Sequence, residues 1–170
     1  IMYQCPRKLS LSGTPLNEAL VSLNQLIPQF KKATGVQKVQ CVTLTDGEAH
    51  PLTYSYRFEF KDHPERNYMG HRSVMNGSVF IRDKSNGKTY YCNSHSHELT
   101  TALLNQLRGR FTDVNFIGIR VMDGRDANSF IRRYMDWDFD KVQHIQSAWK
   151  KDKSLKLTDV GYHAYFGLSS

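Results

Sequence analysis

At 170 residues the chain is long enough for one domain with its own hydrophobic core. No apolar run approaches the roughly 20 residues that cross a bilayer, which argues against a membrane-spanning protein. The net charge of +7 favours anionic partners such as nucleic acid or acidic protein surfaces, although the basic residues are dispersed in short clusters. Three cysteines without close pairing favour a reducing cytoplasm over a disulfide-bonded scaffold.

The first predicted helix begins after Thr14-Pro15. Thr14 suits the N-cap of a helix, and Pro15 suits its first turn, where a missing N–H costs nothing. Gly35 is expected at its end. Apolar residues recur at helical spacing, so we expect these to face the core: Leu16, Ala19, Leu20, Leu23, Ile27 and Phe30.

An apolar strand is predicted next, over Val36–Leu44. Its nearly continuous hydrophobic character is typical of a strand covered on both faces of a sheet. Thr45-Asp46-Gly47 then forms a turn at its carboxyl end. Asp-Gly is a common turn pair, so Asp46 has a purely local explanation beside any role as a ligand.

Residues 48–93 are predicted to be an inserted loop and hairpin region. Tyr54–Phe60 alternates with period two, as a strand does. Its aromatic side chains alternate with basic ones and suit base stacking, but a packed edge strand has the same pattern. Because long loops often carry specific contacts, we expect this insertion to select the partner. The expected contact residues are Tyr54, Tyr56, Arg57 and His71.

A β-hairpin follows within the insertion, with Asn86-Gly87 as its turn between Ser78–Asp83 and Lys88–Cys92. Cys92, His95 and His97 then offer three potential zinc ligands. No second cluster supplies a fourth ligand, and Ser94 or Ser96 fits better as the cap of the next helix.

That next helix is predicted over Leu99–Leu107, and a second buried strand over Asp113–Val121. Asp123 follows this strand and lies on the same rim as Asp46 if the two strands are parallel. Entry into the next helix explains Asp123 equally well.

The last third of the chain contains two further predicted helices, Ala127–Met135 and Trp137–Trp149. Leu155–Leu168 is expected to add an edge strand or a docked tail. The alternation of strands and helices predicts an α/β domain with three layers, in which helices cover both faces of a Rossmann-like sheet.

No catalytic constellation is visible. The chain contains no nucleophile elbow, no phosphate-binding loop with a lysine and no zincin helix, so a non-catalytic role is favoured. Asp46 and Glu48 form a carboxylate pair that would suit a metal-dependent nuclease. A basic nucleic-acid-binding domain using Tyr54–Phe60 is a further alternative.

Two short motifs carry a resemblance to a known family. Gly13-Thr14-Pro15-Leu16, followed about thirty residues later by Leu44-Thr45-Asp46-Gly47, resembles the second and third motifs of a von Willebrand factor A-type domain. The sequence is similar to phage-encoded and bacterial proteins that resemble the cobaltochelatase T subunit, and this similarity extends from Ser10 to about Tyr134.

The resemblance implies a metal-ion-dependent adhesion site. Thr14 and Asp46 would help to hold Mg²⁺ or Mn²⁺, with Ser12, Glu48 and Asp123 in the surrounding shell. It also implies a MoxR-type AAA+ ATPase, or another protein that presents an acidic residue, as the partner in a chelatase-like or remodelling complex. The expected location is the cytoplasm, which for a phage-encoded protein is the cytoplasm of the host cell.

The family's first motif, Asp-x-Ser-x-Ser, does not occur in this sequence. We therefore expect residues 1–170 to form one von Willebrand factor A-like domain that lacks its first strand and first metal motif, or a degenerate member of the family. The metal site would then be incomplete. An exposed sheet edge would also favour association between copies of the chain.

Overall fold

A computed structural model describes residues 13–74, 79–92, 96–134 and 138–170, apart from the side chains of His71, Ser96 and Lys141. Within these ranges there are four α-helices: α1 (Leu16–Thr34), α2 (Ser96–Arg110), α3 (Gly124–Tyr134) and α4 (Phe139–Asp152). There are also eight strands: β1 (Val39–Thr45), β2 (Thr53–Phe58), β3 (Tyr68–Ser73), β4 (Val79–Arg82), β5 (Thr89–Cys92), β6 (Val114–Met122), β7 (Ser154–Leu157) and β8 (Ala164–Ser169).

The central sheet has four strands in the order β1-β6-β8-β7. β1, β6 and β8 are parallel, and β7 is antiparallel to β8. Two separate antiparallel hairpins, β2–β3 and β4–β5, come from the inserted region. The architecture is therefore mixed α/β, as predicted. None of the described helices combines the length and the apolarity needed to cross a membrane.

Helix α1 follows the predicted apolar spacing in part: Leu20 and Ile27 are buried, and Leu16 and Leu23 pack against the core. Ala19 was also expected in the core but is exposed. It continues past Pro28 and ends at Gly35, whose φ of 72° is left-handed, as expected of a C-cap glycine. The predicted cap is wrong, because Pro15 occupies the N-cap position and no side chain caps the helix. Phe30 was expected in the core but is exposed, since it lies in an open cleft beside Val39 and Cys41 of the edge strand β1.

Strand β1 differs from its prediction in burial. Val42 and Leu44 are 56% and 70% exposed, whereas Val39 and Cys41 on the opposite face are partly buried against the core. The prediction that both faces are covered is therefore wrong for β1. The physical reason is position: among the described strands β1 is at the edge of the central sheet, and helices cover only one of its faces.

One face of the central sheet forms the core. The buried residues of β6, β7 and β8 alternate along each strand and all lie on this face. Helix residues complete the same core, for example Ile27 of α1, Leu104 of α2, Phe130 of α3 and Trp149 of α4. The sheet residues in this core are Val114, Phe116, Met122, Leu155, Leu157 and Tyr165.

The expected second helical layer is not found among the described residues. The connection from β1 to β6 contains α2, and the connection from β6 to β8 contains α3, α4 and the edge strand β7. Both crossovers between parallel strands therefore run in the same direction across the sheet, although the second passes through β7 before the chain returns to β8. Right-handed crossovers in one direction place their helices on one face. The opposite face consequently receives no helix from these connections.

The remaining elements agree with the sequence in kind and differ in detail. The apolar residues of α2 are buried, as expected. In the predicted helix Trp137–Trp149, Phe139 has the apolar spacing of a core residue but is exposed, since it begins α4. Leu155–Leu168 contains two strands instead of one: β7 is the edge strand, and β8 lies between β7 and β6.

Candidate functional site

Thr14 lies against the turn that follows β1. The Oγ1 atom of Thr14 is 2.6 Å from the position that a Cβ atom on Gly47 would occupy. Asp46 immediately precedes this glycine and is exposed. The structure thus brings both residues of the predicted metal site to the carboxyl end of β1, although they are 32 positions apart (46 − 14).

Backbone and side-chain hydrogen bonds hold the two loops together. The His50 N–H donates to the Thr14 carbonyl oxygen at 3.1 Å. Asn17, which is fully buried, donates from Nδ2 to the His50 carbonyl oxygen at 2.8 Å and accepts from Thr100 Oγ1 at 2.8 Å. A buried amide with its hydrogen bonds satisfied resists displacement. α1, α2 and the loop after β1 therefore fix the position of Thr14.

The turn itself is shaped by Thr45. Its Oγ1 atom accepts a hydrogen bond from the Gly47 N–H at 3.1 Å and lies 3.0 Å from the Gly47 carbonyl oxygen. This arrangement is a side-chain-stabilised turn, which Thr adopts readily. This turn fixes the backbone conformation around Asp46.

The donor set fits a hard divalent cation, but only in part. A hydroxyl and a carboxylate are oxygen ligands of the kind that Mg²⁺ prefers, and Mg²⁺ commonly keeps several waters beside one or two protein carboxylates. Among the described residues, no group of three or more His, Cys, Asp or Glu side chains is placed to hold a metal ion. Thr14 and Asp46 would supply two of a cation's ligands and leave the other positions open.

Glu48, expected near the metal, is held by two arginines. It forms ion pairs with Arg120 and with Arg133, the latter at 3.2 Å. The Arg120 side chain is only 9% exposed, and its guanidinium also lies over the ring of Phe130 at 5.2 Å. A carboxylate in this position neutralises a largely buried charge. The geometry thus favours a structural role for Glu48 over a free carboxylate pair with Asp46.

Asp123 lies at the start of α3 and caps it. Its Oδ1 atom accepts hydrogen bonds from the backbone N–H groups of Arg125 and Asp126 at 2.8 and 2.9 Å. These two bonds lower the pKa of Asp123 below its usual value. Helix entry thus accounts for this carboxylate. Ser12, the remaining residue of the predicted shell, lies outside the described residues.

Sequence reasoning missed two residues beside Thr14. An open cleft of about 410 Å³ contains Glu18 and His50, which supply a carboxylate and an imidazole next to the threonine. Glu18 lies about one helical turn after Thr14. The spacing is visible in the sequence, but nothing else in the sequence marks Glu18 as a site residue. The full lining is Gly13, Thr14, Pro15, Glu18, His50, Pro51, Thr53 and Ser73.

The β2–β3 hairpin borders the same cleft. Thr53 and Ser73, which lie at the base of the hairpin, are part of the cleft lining. One face of the hairpin is aromatic. Phe58 and Tyr68 stack with their ring centroids 5.5 Å apart, and Arg72 lies 5.0 Å over the ring of Tyr56. Hydrogen bonding to Tyr56 raises the pKa of Arg72, so this residue stays charged. We define the aromatic face as Tyr54, Tyr56, Phe58, Phe60, Tyr68 and Arg72.

The four expected partner contacts divide between the two faces of the hairpin. Tyr54 and Tyr56 are on the aromatic face, and Tyr54 is exposed. Arg57 follows Tyr56 and so lies on the opposite face, where it pairs with Glu59 at 3.2 Å. The backbone of His71 pairs in register with Ser55, and its side chain is outside the description.

Of the three potential zinc ligands, His95 lies outside the described residues. Cys92 is buried, and burial raises the pKa of its thiol, with Glu98 adding to the shift. The ring of His97 packs edge-on against Tyr134 at 5.6 Å. Both described residues thus have packing roles.

Comparison with protein-family models, curated proteins and solved structures gives no match to this chain.

Proposed function

We propose that this chain is a metal-ion-dependent protein-binding module of the von Willebrand factor A type. The observation that carries the proposal is the contact of Thr14 with the Asp46-Gly47 turn at the carboxyl end of β1. Ligands of open α/β sheets collect outside the carboxyl ends of the strands, so this rim suits a binding site.

Two features of the rim support a binding role over catalysis. Thr14 and Asp46 supply only two oxygen donors, while Glu48 and Asp123 have the structural partners described above. A cation held by two protein ligands has open positions for an acidic side chain from another protein. A bound Mg²⁺ or Mn²⁺ would supply a Lewis-acid bridge between the two proteins.

The resemblance suggests a MoxR-type AAA+ ATPase as this partner. The chain's own residues would position the bridge: Asn17 and His50 hold the Thr14 loop, and Thr45 shapes the Asp46 turn. The aromatic face begins at the same cleft and would add contact area beside the metal.

A thermal-shift titration with Mg²⁺ and Mn²⁺ tests the metal site. We expect a saturable rise in Tm for the wild type and loss of that rise in Asp46→Ala and Thr14→Ala. Asp62→Ala, which removes an exposed carboxylate from the bend between β2 and β3, is the matched control and should retain the rise. An equal rise in Asp46→Ala, or none in the wild type, would contradict the metal site.

Partner binding is tested with a purified MoxR-type ATPase. We expect an interaction in Mg²⁺ that EDTA abolishes and that Asp46→Ala weakens at least tenfold. An interaction of the same strength in EDTA would show that the metal is not the bridge, whatever the thermal-shift result.

The aromatic face favours a second candidate function, binding of single-stranded nucleic acid. Exposed aromatic rings beside an arginine form a platform on which bases stack. Tyr56→Ala and Arg72→Gln should then weaken binding of a labelled oligonucleotide, and Arg72→Gln should reduce the salt slope by about 1. Arg57→Gln on the opposite face is the control. Absent or salt-insensitive binding would remove this candidate.

A further inference from the structure

A second cleft lies between the β4–β5 hairpin and helix α2, and its volume is about 270 Å³. Its lining comes from β5 and from one face of α2: Tyr90, Tyr91, Glu98, Thr101, Ala102 and Asn105. The four helix residues share that face because they follow the i, i+3, i+4, i+7 spacing. No residue lines both this cleft and the one beside Thr14, so this is a separate candidate site.

Glu98 has a buried carboxylate oxygen without a partner. Its Oε2 atom is one of three buried side-chain N or O atoms that lack a hydrogen bond in the described part of the chain. The Tyr90 hydroxyl is another, but it lies against Gly109, about 16 Å further along α2, so the two oxygens do not pair with each other. Native structures rarely leave a buried polar atom unpaired without a reason.

The charge of Glu98 also lacks a counter-charge among the described residues. None of the ion pairs between them involves Glu98, and no lysine, arginine or histidine lines the cleft. The buried thiol of Cys92 does not supply one, because burial and the charge of Glu98 both raise its pKa and keep it neutral. The cleft is therefore negative, on a protein whose formal net charge is +7. A partly buried charge of this kind is costly unless it is paired.

The helix dipole accounts for many carboxylates in the first turn of a helix, where a negative charge is favourable. Asp126 of α3 and Asp140 of α4 are in such positions, and both are exposed. Glu98 is in the first turn of α2 but is only partly exposed, and its Oε2 atom is buried. The dipole alone does not explain why this oxygen is buried at a cleft.

The lining suits an organic cation better than a metal ion. A metal ion needs several ligands, and the residues that the structure describes contain no group of three or more His, Cys, Asp or Glu side chains that could hold one. An ammonium group can pair with a single carboxylate, and a tyrosine ring attracts a cation. Tyr90 and Ala102 also offer apolar surface in the same cleft to an aliphatic chain.

We propose that this cleft binds a primary ammonium group on an aliphatic stem, with the ammonium paired to Glu98. The terminal torsion of a glutamate is broad, so a turn of the carboxylate directs Oε2 into the cleft. The stem packs along Ala102 and the ring of Tyr90. Because a volume of about 270 Å³ is small for a ligand pocket, the ligand is a free alkyl amine or a single lysine side chain. This site does not depend on the proposed metal site.

Two probes distinguish these two sources of the ammonium group. Pentylamine represents a free amine, and a short glycine peptide with one central lysine represents a protein side chain. Each is titrated into the full chain at neutral pH in EDTA, and the backbone amide signals are followed by NMR. We expect saturable shifts centred on Thr101, Ala102 and Asn105, and the tighter probe identifies the source.

Neutral analogues control for the apolar stem. Pentanol and the peptide with an acetylated lysine keep the stem but carry no charge, so each should bind at least tenfold more weakly than its charged counterpart. The presence of EDTA keeps a divalent metal ion out of the comparison, so failure of the metal site would not affect the result.

Two variants test the assignment to Glu98. Glu98→Gln keeps the shape of the side chain, removes its charge and should weaken the charged probes at least tenfold. Asp140→Asn removes an exposed carboxylate from the first turn of α4 and is the matched control, which should bind like the wild type. Without a ligand, the Tm of Glu98→Gln should equal or exceed that of the wild type, because the variant has no unpaired buried charge.

Four results would overturn the proposal. The charged probes do not bind saturably, the neutral analogues bind as tightly as the charged probes, or Glu98→Gln binds like the wild type. The fourth is a lower Tm of ligand-free Glu98→Gln, because the carboxylate would then stabilise the chain without any ligand. Circular dichroism checks that each variant is folded.

Discussion

The hydroxyl oxygen of Thr14 occupies space that a side chain on Gly47 would need, 2.6 Å from the position of a Cβ atom there. The two residues belong to different loops, and their contact closes the rim of the sheet beside Asp46. A side chain at position 47 would therefore have to displace Thr14 Oγ1, whereas the backbone of Gly47 does not have the positive φ that favours glycine.

Gly47→Ala should consequently destabilise the protein by about 1–2 kcal/mol, because the new methyl group and Thr14 Oγ1 overlap. The double variant Thr14→Ala/Gly47→Ala removes the overlapping oxygen, so the cost of Gly47→Ala should fall clearly in the Thr14→Ala background. Urea unfolding followed by tryptophan fluorescence measures both costs. Additive costs would show that the two residues do not compete for this space.

The ion pair between Glu48 and Arg120 should contribute more than a surface pair does. Glu48→Gln leaves the guanidinium of Arg120, which is 9% exposed, without its carboxylate, and we expect a loss of about 2–3 kcal/mol in unfolding free energy. Arg133→Gln removes the more exposed arginine from the same carboxylate and should cost less than about 1 kcal/mol. Equal costs in urea unfolding would contradict a buried role for Arg120.

Asp83 should make stability depend on pH in the acid range. Burial alone would raise the pKa of Asp83, but hydrogen bonds from Ser85 and Gln106, with Arg110 nearby, lower it below its usual value. Ser85 donates from its backbone N–H at 2.8 Å and its hydroxyl at 2.6 Å, and Gln106 donates at 2.7 Å. The native state therefore holds the charged carboxylate more firmly than the unfolded chain does.

A lowered native pKa contributes stability that is fully present above the unfolded value of about 3.9 and is lost as pH falls through the native pKa. The stability advantage of the wild type over Asp83→Asn should thus shrink on acidification from about pH 5. Urea unfolding across that range measures the advantage. Asp62→Asn, at an exposed position, is the control, and an advantage over Asp83→Asn that stays constant with pH would refute the assignment.

Gly161 and Gly124 should respond in opposite ways to alanine. Gly161 has φ +88°, and a Cβ atom there would lie 3.0 Å from Thr101 Cα and 3.1 Å from Leu104 Cβ. Gly161→Ala should therefore cost more than about 2 kcal/mol. Gly124, in the first turn of α3, has open space around it, so alanine should be neutral or stabilise by up to about 1 kcal/mol. Thermal unfolding ranks the two variants, and a similar Tm for both would contradict this account.

The sequence by itself determined most of the local structure. Apolar spacing predicted α1 to α4 because a helix buries one face at a fixed period, and Asn86-Gly87 predicted the β4–β5 turn. Gly35 ended α1 where a left-handed residue was required. The order of Thr14, the apolar helix, the apolar strand and Asp46 also predicted that the two oxygen donors face one crevice. In the structure the Thr14 loop contacts Gly47, the residue after Asp46.

The tertiary structure alone decided which faces are covered and which charged groups are paired. The sequence of an apolar strand does not show whether the strand lies at the centre or at the edge of a sheet. The exposure of Val42 and Leu44 therefore follows from strand order. Similarly, Glu48 meets Arg120 only because β1 and β6 are aligned in register. Strand order and register depend on contacts between residues far apart in the chain, which local periodicity does not encode.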